Sequence, residues 1–354
     1  MTKNHNFYLD LAYQLAEKNL GRTGLNPSVG AIVVKDGTIV SSGSTSISGR
    51  PHAEFNALNN LKNSSEAILY TTLEPCIHYG KTPPCTDIII KKKIKKVFFG
   101  NFDLDIRTFK KAQLILNKKG ITVKKIRSEN YKNFYKSYFL NKKFNIPFIS
   151  AKLALSKDFF SISNKKKWIT NEFSRKAAHL LRSKHDCIIS TSKTINLDNS
   201  LLNCRIDGLN KHKPDLFIID LNLKLKKNLL LNKMLKKRKT YLITNKSNYK
   251  KANLYKKKGF KIILINSLKN KRDFYSLHSK IYKLGYTRAL FETGLIFLNT
   301  MIKYKLINIL YLFKSNKKLV NHGKNNTSSS FIKKIKFKPI SINLNGDNLS
   351  IKEF

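Results

Sequence analysis

The sequence predicts an α/β protein of two domains, residues 1–145 and 146–354. Three observations lead there. The chain has 354 residues, long for one core. Short apolar runs alternate with amphipathic segments in both halves, the pattern of helices covering a mostly parallel sheet. An aromatic-rich stretch, SENYKNFYKSYFLNK, precedes a fresh strand signal, FNIPFISAKLAL, which puts the boundary near Asn145.

The first-half elements follow in order. Residues 6–20 are amphipathic and carry Asp10 and Glu17, which fits a first helix and argues against a secretory signal. GAIVVKDGTIVSSG reads as a hairpin, two β-branched runs around Asp36-Gly37. PHAEFNALNNLK reads as a helix with Pro51 at its start. EAILYTT is a buried-type strand, CTDIIIKKKI a helix and KKVFFG a strand. Residues 108–119 give a helix ended by Gly120, ITVKKI a strand, and 128–142 a connecting helix.

The second half repeats the alternation. FNIPFISAKLAL opens it as a strand, and ITNEFSRKAAHLLRSK follows as a helix. Then DCIIS, DLFIID, KTYLIT and KGFKIILIN read as strands. FYSLHSKIYKLG is a helix, TRALFE a strand and GLIFLNTMIKY a helix. Residues 314–330, polar and lysine-rich, predict a mobile loop.

Composition narrows the function. No run of about 18 apolar residues exists, so a membrane partner is not expected. Four cysteines without a signal point to a reducing cytoplasm, where metal ligation outranks a disulfide. The formal charge of +48 comes mostly from Lys spread along the chain. Lys, Asn and Ile share AT-rich codons, so mutational bias explains the lysines better than a nucleic-acid partner. The charge still steers small phosphorylated ligands.

The stretch TTLEPCIHYGKTPPC places Cys76 and Cys85 at the ends of one proline-punctuated loop. His52 lies upstream. Together they make a His/Cys/Cys set that leaves a fourth tetrahedral position open, as catalytic zinc sites do. Cys85 opens a predicted helix, where the dipole favours thiolate. Glu54, two residues past His52, is placed to take a proton from the metal's water and pass it to leaving ammonia. This is the zinc-deaminase pattern, with eight residues rather than two between the cysteines.

LNPSVGAIVVKDG, PHAE, LEPCIHYGKTPPC and the later KWIT together resemble the bacterial bifunctional riboflavin-biosynthesis deaminase/reductase family. The resemblance is dense to about residue 100 and sparse beyond 210. It implies a cytidine-deaminase-like three-layer domain followed by a dihydrofolate-reductase-like domain. It implies zinc on His52, Cys76 and Cys85, with Glu54 as proton shuttle. The substrate would be the small phosphorylated pyrimidine 2,5-diamino-6-(5-phosphoribosylamino)pyrimidin-4-one. Asn26, His78 and Lys81 fall on its binding positions. NFDLDI (101–106) stands where the family usually has Asp-Pro-Asn-Pro.

For the second half, the resemblance implies reduction of the ribosyl group by NADPH. Leu155, Trp168, Thr194, Asp198 and the stretch from Gly294 fall on cofactor positions. Lys166, Arg182, Leu202, Arg205 and Glu292 fall on substrate positions. Lys152, a polar residue inside a predicted strand, is added as a substrate candidate. SKDFF lacks the family's glycine after Asp158, and Ser200 replaces a proline. The family also implies a homo-oligomer formed through the reductase domain.

Other readings stay open at this point. One is a nucleic-acid base deaminase with a non-catalytic C-terminal domain. A covering loop, IHYGKTPP, suits a small ligand better. Another is a deaminase whose reductase half has decayed. A third is a zinc-stapled binding protein, for which Glu54 would have no use.

Overall fold

The computed structural model describes residues 2–165, 167–209 and 214–354, in two units, Met1–Asn145 and Ile146–Phe354. The first unit begins with helix α1 (Thr2–Lys18). The hairpin β1 (Gly30–Lys35) and β2 (Thr38–Ser44) follows. Asp36 and Gly37 both take positive φ at its turn, as a two-residue hairpin of this hand requires. Next come α2 (Ala53–Leu58), β3 (Ile68–Leu73), α3 (Cys85–Lys91) and β4 (Lys96–Asn101). The unit ends with α4 (Ala112–Lys118), β5 (Thr122–Lys125) and α5 (Lys136–Phe144). The sheet order is β2-β1-β3-β4-β5, antiparallel around β1 and parallel from β3 to β5.

Strand periodicity separates the two helical layers. Ile32 and Val34 pack with Leu11, Ala12 and Leu15 of α1. Ala31 and Val33 share a cluster with Ala53, Ala57 and Leu58 of α2. A Cβ on Gly43 would stand 2.5 Å from Ala53 O, so only glycine lets α2 lie this close to β2. That contact fixes the helix carrying Glu54.

In the second unit β6 (Phe148–Leu155) and β7 (Ile162–Ser163) lead to α6 (Glu172–Ser183) and β8 (Cys187–Thr191). Then follow α7 (Ser192–Asp198), β9 (Asp215–Ile219), β10 (Thr240–Asn245), α8 (Tyr249–Lys257) and β11 (Lys261–Ile265). Next are α9 (Lys271–Lys283), β12 (Arg288–Phe291), α10 (Leu295–Lys303) and β13 (Ile309–Lys314). Last come β14 (Gly323–Lys324), α11 (Ser330–Lys333), β15 (Lys338–Pro339) and β16 (Asn348–Glu353). Among the described residues the main sheet has nine strands, ordered β11-β10-β9-β8-β12-β6-β13-β16-β15. It is parallel from β11 to β13, and β16 and β15 close it antiparallel. Ile189, Phe217 and Ile243 pack with α9 and α10 on one face. Ile188, Leu216 and Leu242 pack with Ile195 of α7 on the other.

Several elements differ from what the sequence predicts. Helix α2 stops at Leu58 instead of running through residue 62, where two asparagines disfavour its continuation. The connecting helix begins at Lys136 instead of 128. Ser128 Oγ and Asn130 Nδ2 both donate to Asp10, and Tyr131 stacks on Tyr13, so that stretch is held as turns. Helices α7 and α8 and strands β13 and β16 are not anticipated by the sequence pattern, as periodicity alone does not separate a short buried strand from a helix end. Residues 314–330 are tied down rather than left loose. Asp158 accepts from Leu319 N at 3.1 Å and Val320 N at 2.9 Å, and β14 pairs with β7. Phe159 takes φ 68° where the family pattern has glycine, and Lys314 Nζ lies 4.1 Å from its ring centre.

Candidate functional site

His52 occupies the N-cap position of α2, and Cys85 is the first residue of α3. Cys76 follows β3 in the loop between them. His52 Nδ1 lies 3.5 Å from Cys76 Sγ and 3.4 Å from Cys85 Sγ. The three donor atoms all lie within 4.8 Å of one another. Tetrahedral zinc with ordinary bond lengths needs about 3.6 Å between nitrogen and sulfur, so the set fits that ion. No other trio of His, Cys, Asp or Glu among the described residues converges this way. All four cysteines are free thiols. Within the pair, the Cys85 thiol, opposed by burial and aided by the His52 ring, pulls the Cys76 thiol well below its ordinary range.

Glu54 is 3% exposed. Thr71 Oγ1 donates to its Oε1 at 3.1 Å, and Cys85 Sγ lies 3.4 Å from its Oε2. Burial pushes its carboxyl up, toward the range where a group both accepts and returns a proton.

These groups open into a cleft. Asn26 and His78 line it. Asn26 Nδ2 donates to Gly49 O at 2.9 Å. His78 Nδ1 sits 3.2 Å from Thr108 Oγ1. Lys81 is exposed and lies outside the lining. The lining also contains Glu74, Asp105, Arg107, Tyr138 and Lys142, which sequence reasoning missed. Glu74 alone carried a signal, since it directly precedes Pro75-Cys76. The others lie in the Asp103 loop and on α5, and only folding brings them together. Asp103 is fixed by Tyr138 OH at 2.9 Å and Asp105 N at 3.0 Å, bonds that hold a loop lacking its family's prolines.

In the second unit Glu292, at the end of β12, is 8% exposed. Arg182 of α6 donates from Nε at 2.5 Å and from Nη2 at 2.9 Å to its two oxygens. Lys152 Nζ of β6 lies 4.0 Å away. Burial opposes the Glu292 charge, but Arg182, Lys152 and His179 outweigh it and hold the carboxyl at about 2. Burial pushes the Lys152 ammonium down, with Glu292 and Asp198 countering. Lys152, Arg182, Asp198 and Glu292 therefore form one charged cluster. Arg205 Nη1 donates to Asn203 Oδ1 at 2.6 Å, and Arg182 Nη1 to Asn203 O at 3.0 Å.

The predicted cofactor residues divide. Gly294 caps α10, and a Cβ there would meet only Thr194 Oγ1, at 4.0 Å. That space above a helix start fits a phosphate of a dinucleotide. Trp168 is 50% exposed, with the Arg175 guanidinium 5.1 Å from its ring centre. Leu155 and Leu202 are buried among apolar side chains, so only their backbones remain for a ligand. The Leu155 carbonyl already accepts from Ser315 N at 2.8 Å, and that of Leu202 from Arg238. Lys166 lies outside the described residues.

A three-layer α/β unit with an open His/Cys/Cys set and a buried glutamate is the architecture of a zinc-dependent deaminase. Comparison with known proteins agrees. Residues 2–101 match the cytidine and deoxycytidylate deaminase zinc-binding region, and residues 147–338 match the RibD C-terminal domain. The riboflavin biosynthesis protein RibD of Aquifex aeolicus is 33% identical over 312 residues, covering 86% of this chain and 85% of that protein. Its Buchnera aphidicola counterpart is 31% identical, covering 95% of each. A solved Thermotoga maritima diaminohydroxyphosphoribosylaminopyrimidine deaminase/5-amino-6-(5-phosphoribosylamino)uracil reductase superposes with TM-score 0.83 at 25% identity, covering 99% of this chain and 98% of that one. Acinetobacter baumannii RibD shares the fold at TM-score 0.83. The chain belongs to the RibD family of bifunctional riboflavin-biosynthesis deaminase–reductases. The match over both halves disfavours a nucleic-acid base deaminase with an inert second half.

Proposed function

We propose that the first unit deaminates 2,5-diamino-6-(5-phosphoribosylamino)pyrimidin-4-one and that the second reduces the resulting ribosylaminouracil with NADPH. The observation that carries the first assignment is the convergence of His52, Cys76 and Cys85 beside the buried Glu54. Zinc, when bound there, supplies a water that ionises near neutral pH. Glu54 does the proton work. Thr71 holds its Oε1, and its Oε2 collects a proton and returns it to the departing amino nitrogen. Asn26 and His78 orient the pyrimidine in the cleft.

In the second unit, Lys152, Arg182, Arg205 and Glu292 take the phosphoribosyl portion. NADPH, when bound, supplies the hydride. Trp168, Thr194, Asp198 and Gly294 position it, with Leu155 contributing backbone only. Loss of Asp158's following glycine and of the proline at Ser200 is compatible with this role, since Arg182 still pairs with Glu292 and Thr194 Oγ1 lies beside Gly294. Metal content per chain, ammonia release from the diaminopyrimidine and loss of 340 nm absorbance with the deaminated intermediate test both halves. Ammonia release without NADPH oxidation points instead to a decayed reductase.

The substrate is a small molecule, and among the described residues no helix is long and apolar enough to cross a membrane. Free thiols support a reducing, cytoplasmic setting. Family resemblance supports a homo-oligomer assembled through the second unit, which sedimentation of the full chain tests.

A further inference from the structure

Three cationic side chains line the cleft around His52 and Glu54, namely Arg50, Arg107 and Lys142. Arg50 is engaged inward. Its Nη1 donates to Thr82 Oγ1 at 2.5 Å and lies 3.3 Å from His52 Nε2. Arg107 and Lys142 come from separate elements, the loop after β4 and helix α5, and meet at Asp105. Arg107 Nε and Nη2 donate to the two Asp105 oxygens at 2.9 and 2.6 Å. Lys142 Nζ is 3.7 Å from Asp105 Oδ2.

Two basic side chains thus face one carboxylate. Asp105 is 12% exposed, while Arg107 is 57% and Lys142 35% exposed. The carboxylate lies beneath, and the cations reach solvent at the rim. Arg107 first, against some burial, holds the Asp105 carboxyl well below its usual range, so its charge persists. Neighbouring Asp103 has its carboxyl pushed up by burial and accepts from Tyr138 OH. The bidentate pairing holds the guanidinium plane before any ligand arrives. A preset fork loses less side-chain entropy on meeting an anion.

We propose that Arg107 and Lys142 are the seat for the phosphate monoester of the pyrimidine substrate, with Asp105 as the residue that orients them. This rests on the deaminase reading above. It places the phosphate contact on the rim rather than on Lys81, which lies outside the cleft lining. Charge-assisted bonds from a fork and an ammonium suit a phosphate dianion.

The test compares the phosphorylated substrate with its dephosphorylated riboside, by ammonia release. In Arg107→Ala/Lys142→Ala, kcat/KM for the phosphorylated compound should fall about tenfold or more, through KM. The riboside should change far less, and zinc per chain should match wild type. Arg107→Lys, which keeps the charge, should recover part of the loss. Ribose 5-phosphate should inhibit wild type competitively and the double variant much more weakly. Equal losses on both compounds overturn the seat, as does a phosphate-selective loss in Lys81→Ala with none in the double variant. If wild type releases no ammonia from either compound, the deaminase reading fails first and the proposal falls with it.

Discussion

Glu54 is too deeply buried to be a surface charge and stands outside the trio that fits the ion. Replacing it with Gln keeps the shape and removes the proton acceptor. Glu54→Gln should retain zinc, measured by atomic absorption, and lose ammonia release by roughly 10²–10⁴-fold. Unchanged turnover would refute the shuttle. Glu292 makes a different residue-scale statement. Its carboxyl sits at about 2, against an ordinary value of 4.5. A depressed pKa stabilises the fold above the unfolded value, and that contribution fades as pH falls from about 4.5 toward 2. Glu292→Gln leaves Arg182 buried without its carboxylate and should lower stability by roughly 3–5 kcal/mol at pH 7. The gap to wild type in denaturant midpoint should narrow steadily between pH 4.5 and 2. A gap independent of pH would show that the pair does not set it.

At the scale of elements, order comes from single side chains that tie segments together. Asp158 anchors the segment after β13 through two backbone N–H groups. Phe159 keeps a left-handed φ beside it, with Lys314 and Lys333 over the ring. Asp158→Ala should free residues 315–325, and limited trypsin digestion should cut faster at Lys317 and Lys318. An unaltered cleavage pattern would mean that the β7–β14 pairing suffices without the carboxylate.

At the scale of the whole molecule, each unit builds a core of its own, and each carries its own charged or metal-binding cluster. The two chemistries should therefore separate in the intact chain. Removing metal with a chelator should abolish ammonia release while NADPH oxidation with supplied intermediate stays near the starting rate. Re-addition of zinc should restore deamination. Loss of both activities on chelation would show that the metal supports the second unit as well.

The sequence by itself determined the α/β class and the hairpin at Asp36-Gly37, and it singled out His52, Cys76, Cys85 and Glu54, which the fold brings together. Each is written in short-range spacing, turn chemistry or a motif whose members are all chemically scarce residue types. Family resemblance also picked out Thr194, Gly294, Arg182 and Glu292, but not their contacts. Only the tertiary structure paired Arg182 with Glu292, anchored 314–330 on Asp158, and buried Leu155 and Leu202 in apolar cores. It alone gathered Arg107 and Lys142 around Asp105. Ordinary charged and apolar residues carry no mark of their partner, because that partner lies far along the chain and is selected by packing.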